Sequence, residues 1–228
     1  MKRHCWFILL ILLAYIPASA QRNADWGVFG GVSSYYGDIN STNYLYSPSP
    51  ALGFVYRYNF NPRQAVRTNI TYGLIRGNDL DFDNLYQQTR AQSFTNSVFE
   101  WGLQYEFNFF PYTTAGKWGD FSPYFAGGLA LAFLSSPSFT YIPVIPLTLG
   151  FKINVYKNVG LEAEYGFRKT FYDNFDGLID NIDPDDRSWA HNNDWYMFAG
   201  VTLTWKMFHN ITSCPTYNDV NNKKRKPH

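Results

Sequence analysis

The strongest constraint on the fold is a strict alternation of apolar and polar side chains between Thr95 and Phe109. One face of this segment carries large apolar residues, and the other carries polar residues and glycine. The two sets are Phe99, Trp101, Leu103, Tyr105, Phe107 and Phe109 against Asn96, Glu100, Gly102, Gln104, Glu106 and Asn108. Because successive side chains point to opposite faces of a β-strand, the segment is predicted to be a strand.

The same alternation recurs along the chain and predicts eight strands. The predicted segments are 25–36, 50–60, 65–76, 94–109, 122–134, 146–156, 159–172 and 194–207. Aromatic residues make up 20% of the chain and charged residues 16%, a composition that excludes an intrinsically disordered protein. After residue 20, no apolar stretch is long enough for a helix to cross a bilayer.

The polar faces of these strands favour a membrane barrel over a water-soluble β-sandwich, the alternative that alternation alone leaves open. They are rich in glycine, as the narrow lumen of an eight-stranded barrel requires. Their charged residues are nearly balanced: Arg57, Arg67, Lys152, Arg168 and Lys206 against Glu100, Glu106, Glu162 and Glu164. We therefore expect these residues to form ion pairs inside the lumen and to close it to ions.

The connections between the predicted strands agree with a membrane barrel, which has short turns at one end and long loops at the other. Segments 61–64 and 157–158 are short, whereas 77–93 and 173–193 are long and polar. Only 110–121 does not fit, because it is long and falls at the short-turn end. The predicted fold class is all-β: an eight-stranded, antiparallel, up-and-down transmembrane β-barrel with a short periplasmic C-terminal tail.

Three regions are predicted along the chain. Residues 1–20 resemble a signal peptide, with Lys2 and Arg3, an apolar run and the exit Ala18-Ser19-Ala20. Residues 21–207 are predicted to form the outer-membrane barrel, and 208–228 a basic tail in the periplasm. Loss of Lys2 and Arg3 leaves 17 basic residues against 18 acidic ones, which gives no support for a nucleic-acid partner.

Two features of the tail are candidate partner-binding sites. Cys5 leaves with the signal peptide, so Cys214 would be the odd thiol of the mature chain, either inert or joined to another chain by a disulfide. The basic run Lys223, Lys224, Arg225 and Lys226 is either a solvated end or a contact for an acidic partner or anionic headgroups.

Catalytic and metal-binding patterns are weak. His191 lies among acidic residues in the last long loop, but no serine and acid accompany a histidine at a recognisable nucleophile turn. The acidic stretch Asp79–Asp83 resembles a calcium loop, yet Asn84 replaces the turn glycine and Arg90 stands where a bidentate Glu is required. We predict no enzyme activity, no catalytic residue, no metal, no cofactor and no small-molecule substrate.

Several motifs resemble, in order and spacing, the PorG-like outer-membrane proteins of the type IX secretion system of Bacteroidetes. The matching residues are Gly30-Gly31, Tyr35-Tyr36-Gly37-Asp38, Arg90, Phe94, Glu100, Glu106-Phe107-Asn108-Phe109, Pro123-Tyr124, the stretch 160–173 (GLEAEYGFRKTFYD) and Asn174-Phe175-Asp176. The stretch 160–173 is the most specific of them, and the resemblance spans nearly all of the mature chain.

This resemblance implies a small outer-membrane barrel that anchors a periplasmic ring, formed by a PorK-like lipoprotein and a PorN-like partner. The ring belongs to the apparatus that exports proteins with C-terminal sorting domains. Two other functions remain open at this point: a generic outer-membrane adhesion or binding barrel, and an outer-membrane lipid hydrolase.

Overall fold

The computed structural model describes residues 23–36, 45–81, 85–91, 93–135, 140–171 and 195–206. Its eight strands form one closed antiparallel barrel in chain order, with β1 paired to β8. The predicted eight-stranded, antiparallel, up-and-down barrel is therefore confirmed, whereas the predicted tail at 208–228 lies outside the described residues. The predicted signal peptide, His191, Cys214 and the basic run at 223–226 lie outside the described residues.

The strand bounds agree with the alternation to within a few residues, except in one strand. The strands are β1 (Ala24–Tyr36), β2 (Ser49–Asn61), β3 (Gln64–Asn78), β4 (Ser93–Asn108), β5 (Phe121–Leu134), β6 (Thr140–Tyr156), β7 (Val159–Thr170) and β8 (Trp195–Lys206). Between β3 and β4 lie a 3-10 turn (Asp79–Asp81) and a short helix, α1 (Leu85–Arg90). Within the described residues, no helix is long and apolar enough to cross a membrane.

The exception is β6, which begins at Thr140 and not at the predicted residue 146. The prediction missed residues 140–145, which include Pro143, a residue type that is uncommon inside strands. In the barrel, Pro143 comes before Val144, the first residue of β6 that pairs with β7. Pro146 lies where the pairing of β6 with β5 is interrupted. Each proline thus lacks a paired residue on one of its two neighbouring strands. The N–H that proline lacks is therefore not needed for a backbone hydrogen bond on that side.

The outer surface of the barrel is an apolar band. Large apolar side chains that would be buried in a soluble protein are exposed on every strand, among them Val28, Leu52, Ile70, Trp101, Leu103, Leu129, Leu149, Leu161 and Leu203. Leu52 is 67% exposed and Leu129 is 72% exposed. Such a continuous band on a closed barrel is stable only where hydrocarbon surrounds it.

The lumen has two halves that differ in chemistry. Toward the end of the long connections it is filled by an apolar cluster, which includes Phe29, Tyr35, Ile75, Val98, Leu134, Ile142, Val144 and Phe198. Toward the short-turn end it holds the charged residues described below. The predicted lumen face was described by its polar residues and glycines, and the apolar half was not predicted because both faces of segments such as 129–134 are apolar.

The lumen glycines let neighbouring strands and side chains approach closely. A Cβ on Gly128 of β5 would lie 2.7 Å from the Cα of Gln104 on β4 and would also meet the carbonyl oxygen of Leu103. A Cβ on Gly150 would meet the ring of Tyr124. These positions therefore need glycine because of the close approach and not because of an unusual backbone conformation.

Candidate functional site: the closed lumen and its short-turn mouth

The centre of the charged half is a cluster of four residues, Arg57, Glu106, Lys152 and Glu162, called here the Arg57 cluster. The Arg57 guanidinium donates two hydrogen bonds of 2.6 Å to both carboxylate oxygens of Glu162, and its Nε lies 3.0 Å from Glu106. Lys152 forms an ion pair with the second oxygen of Glu106. All four side chains are at most 1% exposed, so each charge depends on its partners for stabilisation.

A second group of polar contacts is centred on Arg67 of β3. Its Nη1 lies 2.8 Å from the Glu164 carboxylate, and its Nε and Nη2 donate to the Gln104 side-chain oxygen at 3.1 and 3.0 Å. The Tyr124 hydroxyl donates to the same Glu164 oxygen at 2.7 Å. The Lys152 amine lies 4.4 Å from the centre of the Tyr124 ring, so this group adjoins the Arg57 cluster.

The third group is centred on Glu100 and adjoins the apolar half of the lumen. The Tyr196 hydroxyl donates to Glu100 at 2.6 Å, Arg168 Nε donates to it at 3.3 Å, and the Asn69 amide at 3.2 Å. The Arg168 guanidinium lies 4.8 Å from the centre of the Phe198 ring. The three groups together fill the charged half of the lumen with mutually satisfied polar groups.

The charged residues predicted for the lumen all lie at lumen-facing positions of their strands, and most of them contact one another in the structure. Lys206 differs: it is half-buried at the end of β8 and takes part in none of the ion pairs between described residues. Asp25, which sequence analysis missed, lies opposite Lys206 on β1 and is 2% exposed. Asp25 occupies a lumen-facing position of the first strand, and this position could have identified it from the sequence.

The connection predicted at 110–121, which did not fit the sequence pattern, spans residues 109–120 in the structure. It folds into the opening of the barrel at the short-turn end. Tyr112 and Thr114 are buried, and the Thr114 hydroxyl donates to Asp25 at 2.8 Å. The Asn154 amide donates to the carbonyl of Thr113 at 2.8 Å. The mouth loop, as residues 109–120 are called from here, therefore closes this end of the lumen.

The outer part of the mouth loop is held in one conformation by hydrogen bonds of its backbone. Gly119 adopts a φ of +82°, and its N–H donates to the Asn154 carbonyl at 2.9 Å. The backbone N–H of Lys117 donates to the Asp120 carboxylate at 2.8 Å. Between them Trp118 is 84% exposed. A large aromatic side chain is thus presented on an ordered loop with little of its surface covered.

At the opposite end of the barrel, Tyr46 joins the first two long connections. Its hydroxyl donates to Asp81 at 2.5 Å and accepts the backbone N–H of Asn78 at 3.2 Å. Partial burial and the hydrogen bond to Asp81 raise the pKa of Tyr46 to about 12, since both favour the neutral phenol. The contact is therefore intact at neutral pH.

These arrangements consist of contacts between side chains of the same chain. Among the described residues, no group of three His, Cys, Asp or Glu side chains could hold a metal ion. Asp79, in the stretch that resembles a calcium loop, is fully buried, and Asp81 accepts the bond from Tyr46. The buried carboxylates of the lumen contact cations and hydroxyl groups of the same chain, as in an ion-paired core.

We predict that the barrel conducts no ions. The mouth loop closes one end of the lumen, and the paired charges and the apolar cluster fill the rest. Purified protein reconstituted into planar lipid bilayers should give no steady single-channel current. Large and persistent currents in the full chain, absent from bilayers that lack protein, would contradict this prediction.

A closed antiparallel barrel with an apolar exterior and a lumen of paired charges defines the class of outer-membrane-type β-barrels. Within that class, the chain belongs to the family described as domain of unknown function DUF6089, whose model matches residues 3–216. No curated protein matches the chain in sequence.

Several solved membrane barrels are similar to this chain in fold. Neisserial surface protein A is 14% identical, with a TM-score of 0.49, and the match covers 81% of this chain and 97% of that one. OprG of Pseudomonas aeruginosa is 10% identical, with a TM-score of 0.46, and the match covers 84% of this chain and 100% of that one. A major outer membrane protein of Thermus thermophilus is 13% identical, with a TM-score of 0.44, and the match covers 80% of this chain and 98% of that one. At such low identity these likenesses concern the fold alone.

Proposed function

We propose that this protein is a structural component of the type IX protein secretion system in the outer membrane. In this role it anchors the periplasmic ring of a PorK-like lipoprotein and its PorN-like partner, and it is needed for export of proteins with C-terminal sorting domains. The motif resemblance across the mature chain supports this assignment, and its clearest motif, the stretch at 160–173, supplies Glu162, Glu164 and Arg168 to the lumen.

The closed lumen is the observation that carries the proposal. A barrel whose interior is filled by buried ion pairs and an apolar cluster has no path for a substrate, and its described residues include no candidate reaction centre. What it offers to other molecules is its surface. An anchoring role uses such a rigid surface, whereas transport or hydrolysis would require an open cavity.

The mouth loop is the surface that we assign to the periplasmic partner. Loops at the short-turn end of an outer-membrane barrel face the periplasm. Among the described residues of this end, Trp118 is the most exposed large apolar side chain, and the hydrogen bonds of Lys117 and Gly119 fix the loop that carries it. Exposed Trp residues on ordered loops are frequent anchors of protein interfaces, since little entropy is lost when they bind.

The test is recovery of ring subunits with the full-length protein from solubilised outer membranes, measured by mass spectrometry. In the Trp118→Ala variant we expect recovery to fall about tenfold or more, as for an interface anchor. Leu85→Ala is the matched control, because Leu85 is 81% exposed but lies on α1 at the long-loop end. Its recovery should equal that of the wild type.

Two outcomes separate the parts of the proposal, and a further measurement tests Cys214. If the wild-type protein recovers no ring subunits, the anchoring function is wrong and a generic binding barrel becomes the better interpretation. If Trp118→Ala recovers as much as the wild type, another surface makes the contact. Repeating the recovery without reductant, with Cys214→Ser as control, tests whether Cys214 forms the proposed disulfide to the ring lipoprotein.

A further inference from the structure

The short-turn end of the barrel carries a group of lysines around the turn that joins β6 to β7. They come from three separate parts of the chain: Lys117 from the mouth loop, Lys157 from that turn and Lys206 from the end of β8. Lys117 and Lys157 are exposed, and Lys206 is half-buried. These three lysines and the exposed Trp118 are called here the basic patch.

Backbone hydrogen bonds place the members of the basic patch beside one another. The N–H of Gly119 donates at 2.9 Å to the carbonyl of Asn154, three residues before Lys157. The N–H of Lys206 donates at 3.0 Å to the carbonyl of Asn158, the residue after Lys157. The mouth loop and the end of β8 are therefore both held against the same turn.

The basic patch has little negative charge of its own. None of its lysines takes part in an ion pair between described residues. Apart from the glutamates of the lumen, the described residues of this end include two carboxylates, Asp25 and Asp120. Asp25 is buried and accepts a hydrogen bond from Thr114, and Asp120 accepts the backbone N–H of Lys117 at 2.8 Å. Most of the positive charge is thus left for another molecule.

The mouth loop presents its part of the basic patch away from the lumen. The loop crosses the opening of the barrel, because the N–H of Tyr112 donates to the Pro62 carbonyl in the β2–β3 turn, whereas Gly119 is bonded to the end of β6. Tyr112 is buried, but Lys117 and Trp118 are exposed. Since lipid surrounds the wall of a barrel and not its opening, these two residues are accessible to a macromolecule in the periplasm.

We infer that the basic patch binds an acidic protein surface, whose Asp or Glu side chains pair with Lys117 and Lys157 around Trp118. This inference rests on the proposed function, because it assigns a charge to the partner surface that meets the mouth loop. A tryptophan anchor among cations is complementary to an apolar pocket with carboxylates at its rim. Anionic lipid headgroups have the same charge, but they lie around the barrel wall and offer no pocket for an indole ring.

Carbodiimide crosslinking tests this inference, because the reagent joins a lysine amine to a carboxylate only where the two are in contact. The full-length protein is crosslinked in intact outer-membrane envelopes, and the linked peptides are identified by mass spectrometry. We expect Lys117 and Lys157 to be linked to Asp or Glu residues of a ring subunit. The double variant Lys117→Arg/Lys157→Arg should lose these linkages and recover as much of the ring subunits as the wild type, since it keeps both charges.

Reversal of the charges tests whether the contact is electrostatic. The double variant Lys117→Glu/Lys157→Glu should lower the recovery of ring subunits about tenfold or more, because like charges would then face each other. Recovery by the wild type should also fall between about 0.1 M and about 1 M salt, as the Debye length shortens from about 10 to about 3 Å. Arg76→Glu is the matched control, since Arg76 is exposed but lies near the long-loop end of β3. Only proteins that migrate as folded barrels on unheated gels are compared.

The outcomes separate this inference from the proposed function. If the wild type recovers ring subunits and Lys117→Glu/Lys157→Glu recovers as much, the inference is overturned and the anchoring role stands. Linkage of the ring subunits through other lysines alone has the same meaning. Loss of recovery that appears only when phosphatidylglycerol is added would assign the basic patch to lipid headgroups and overturn the inference as well. If the wild type recovers no ring subunits, the proposed function is wrong and the inference falls with it.

Discussion

Replacement of Arg57 by Ala is expected to lower the free energy of unfolding by about 3–5 kcal/mol. The guanidinium is 1% exposed and is the bidentate partner of Glu162 and a partner of Glu106, both of which are fully buried. Its removal leaves a buried carboxylate without its cation. Urea unfolding in phospholipid vesicles, followed by tryptophan fluorescence, measures the loss.

Arg76→Ala is the control for the Arg57 variant, since Arg76 is an exposed arginine near the end of β3 and its removal should change stability little. Replacement of both Arg57 and Glu162 by Met should recover part of the lost free energy of unfolding, because Glu106 still has Lys152 as its ion-pair partner. A destabilisation of less than about 1 kcal/mol for Arg57→Ala would show that the Arg57 cluster does not stabilise the barrel.

Gly128→Ala is expected to destabilise the barrel by about 1–3 kcal/mol, as for overpacking in a well-packed core. The new Cβ would meet backbone atoms of Leu103 and Gln104, which cannot move without separating β4 from β5. The same unfolding measurement applies, together with the fraction of protein that reaches the folded, compact form on unheated gels.

The adjacent Gly127→Ala is a matched control for this substitution. Gly127 faces outward, and a Cβ there would lie 3.4 Å from the Leu147 side chain, which is an ordinary contact. Its effect should stay within about 0.5 kcal/mol. Equal losses from the two substitutions would mean that the close approach of β4 is not the cause.

The fold could be predicted from the sequence because one physical rule governs all eight strands. Lipid on one side and a narrow lumen on the other impose period-two alternation, which was clear in β4 and β7. The rule fails where both faces are apolar, and it therefore missed the inward residues Val98 and Leu134 of the apolar cluster. It also did not predict β6 before residue 146, a stretch that contains Pro143.

The candidate site was predictable in part. Alternation identified which charges point inward, but not which cation meets which anion, because that depends on the shear of the barrel and on three-dimensional proximity. The closure of the lumen by Tyr112 and Thr114 could not be predicted either. They lie in a connection without periodicity, and their role depends on contacts with Asp25 and with the end of β6.

The ion pairs of the lumen have a consequence for the way the barrel assembles. Arg57 and Glu162 are 105 residues apart in the chain, and Arg67 and Glu164 are 97 residues apart. No hairpin contains both members of either pair, so Arg57 and Arg67 lack their glutamate partners until β7 joins the sheet. These groups can leave water only when β7 arrives and β8 closes on β1. Folding of the last two strands and drying of the lumen are therefore one cooperative event.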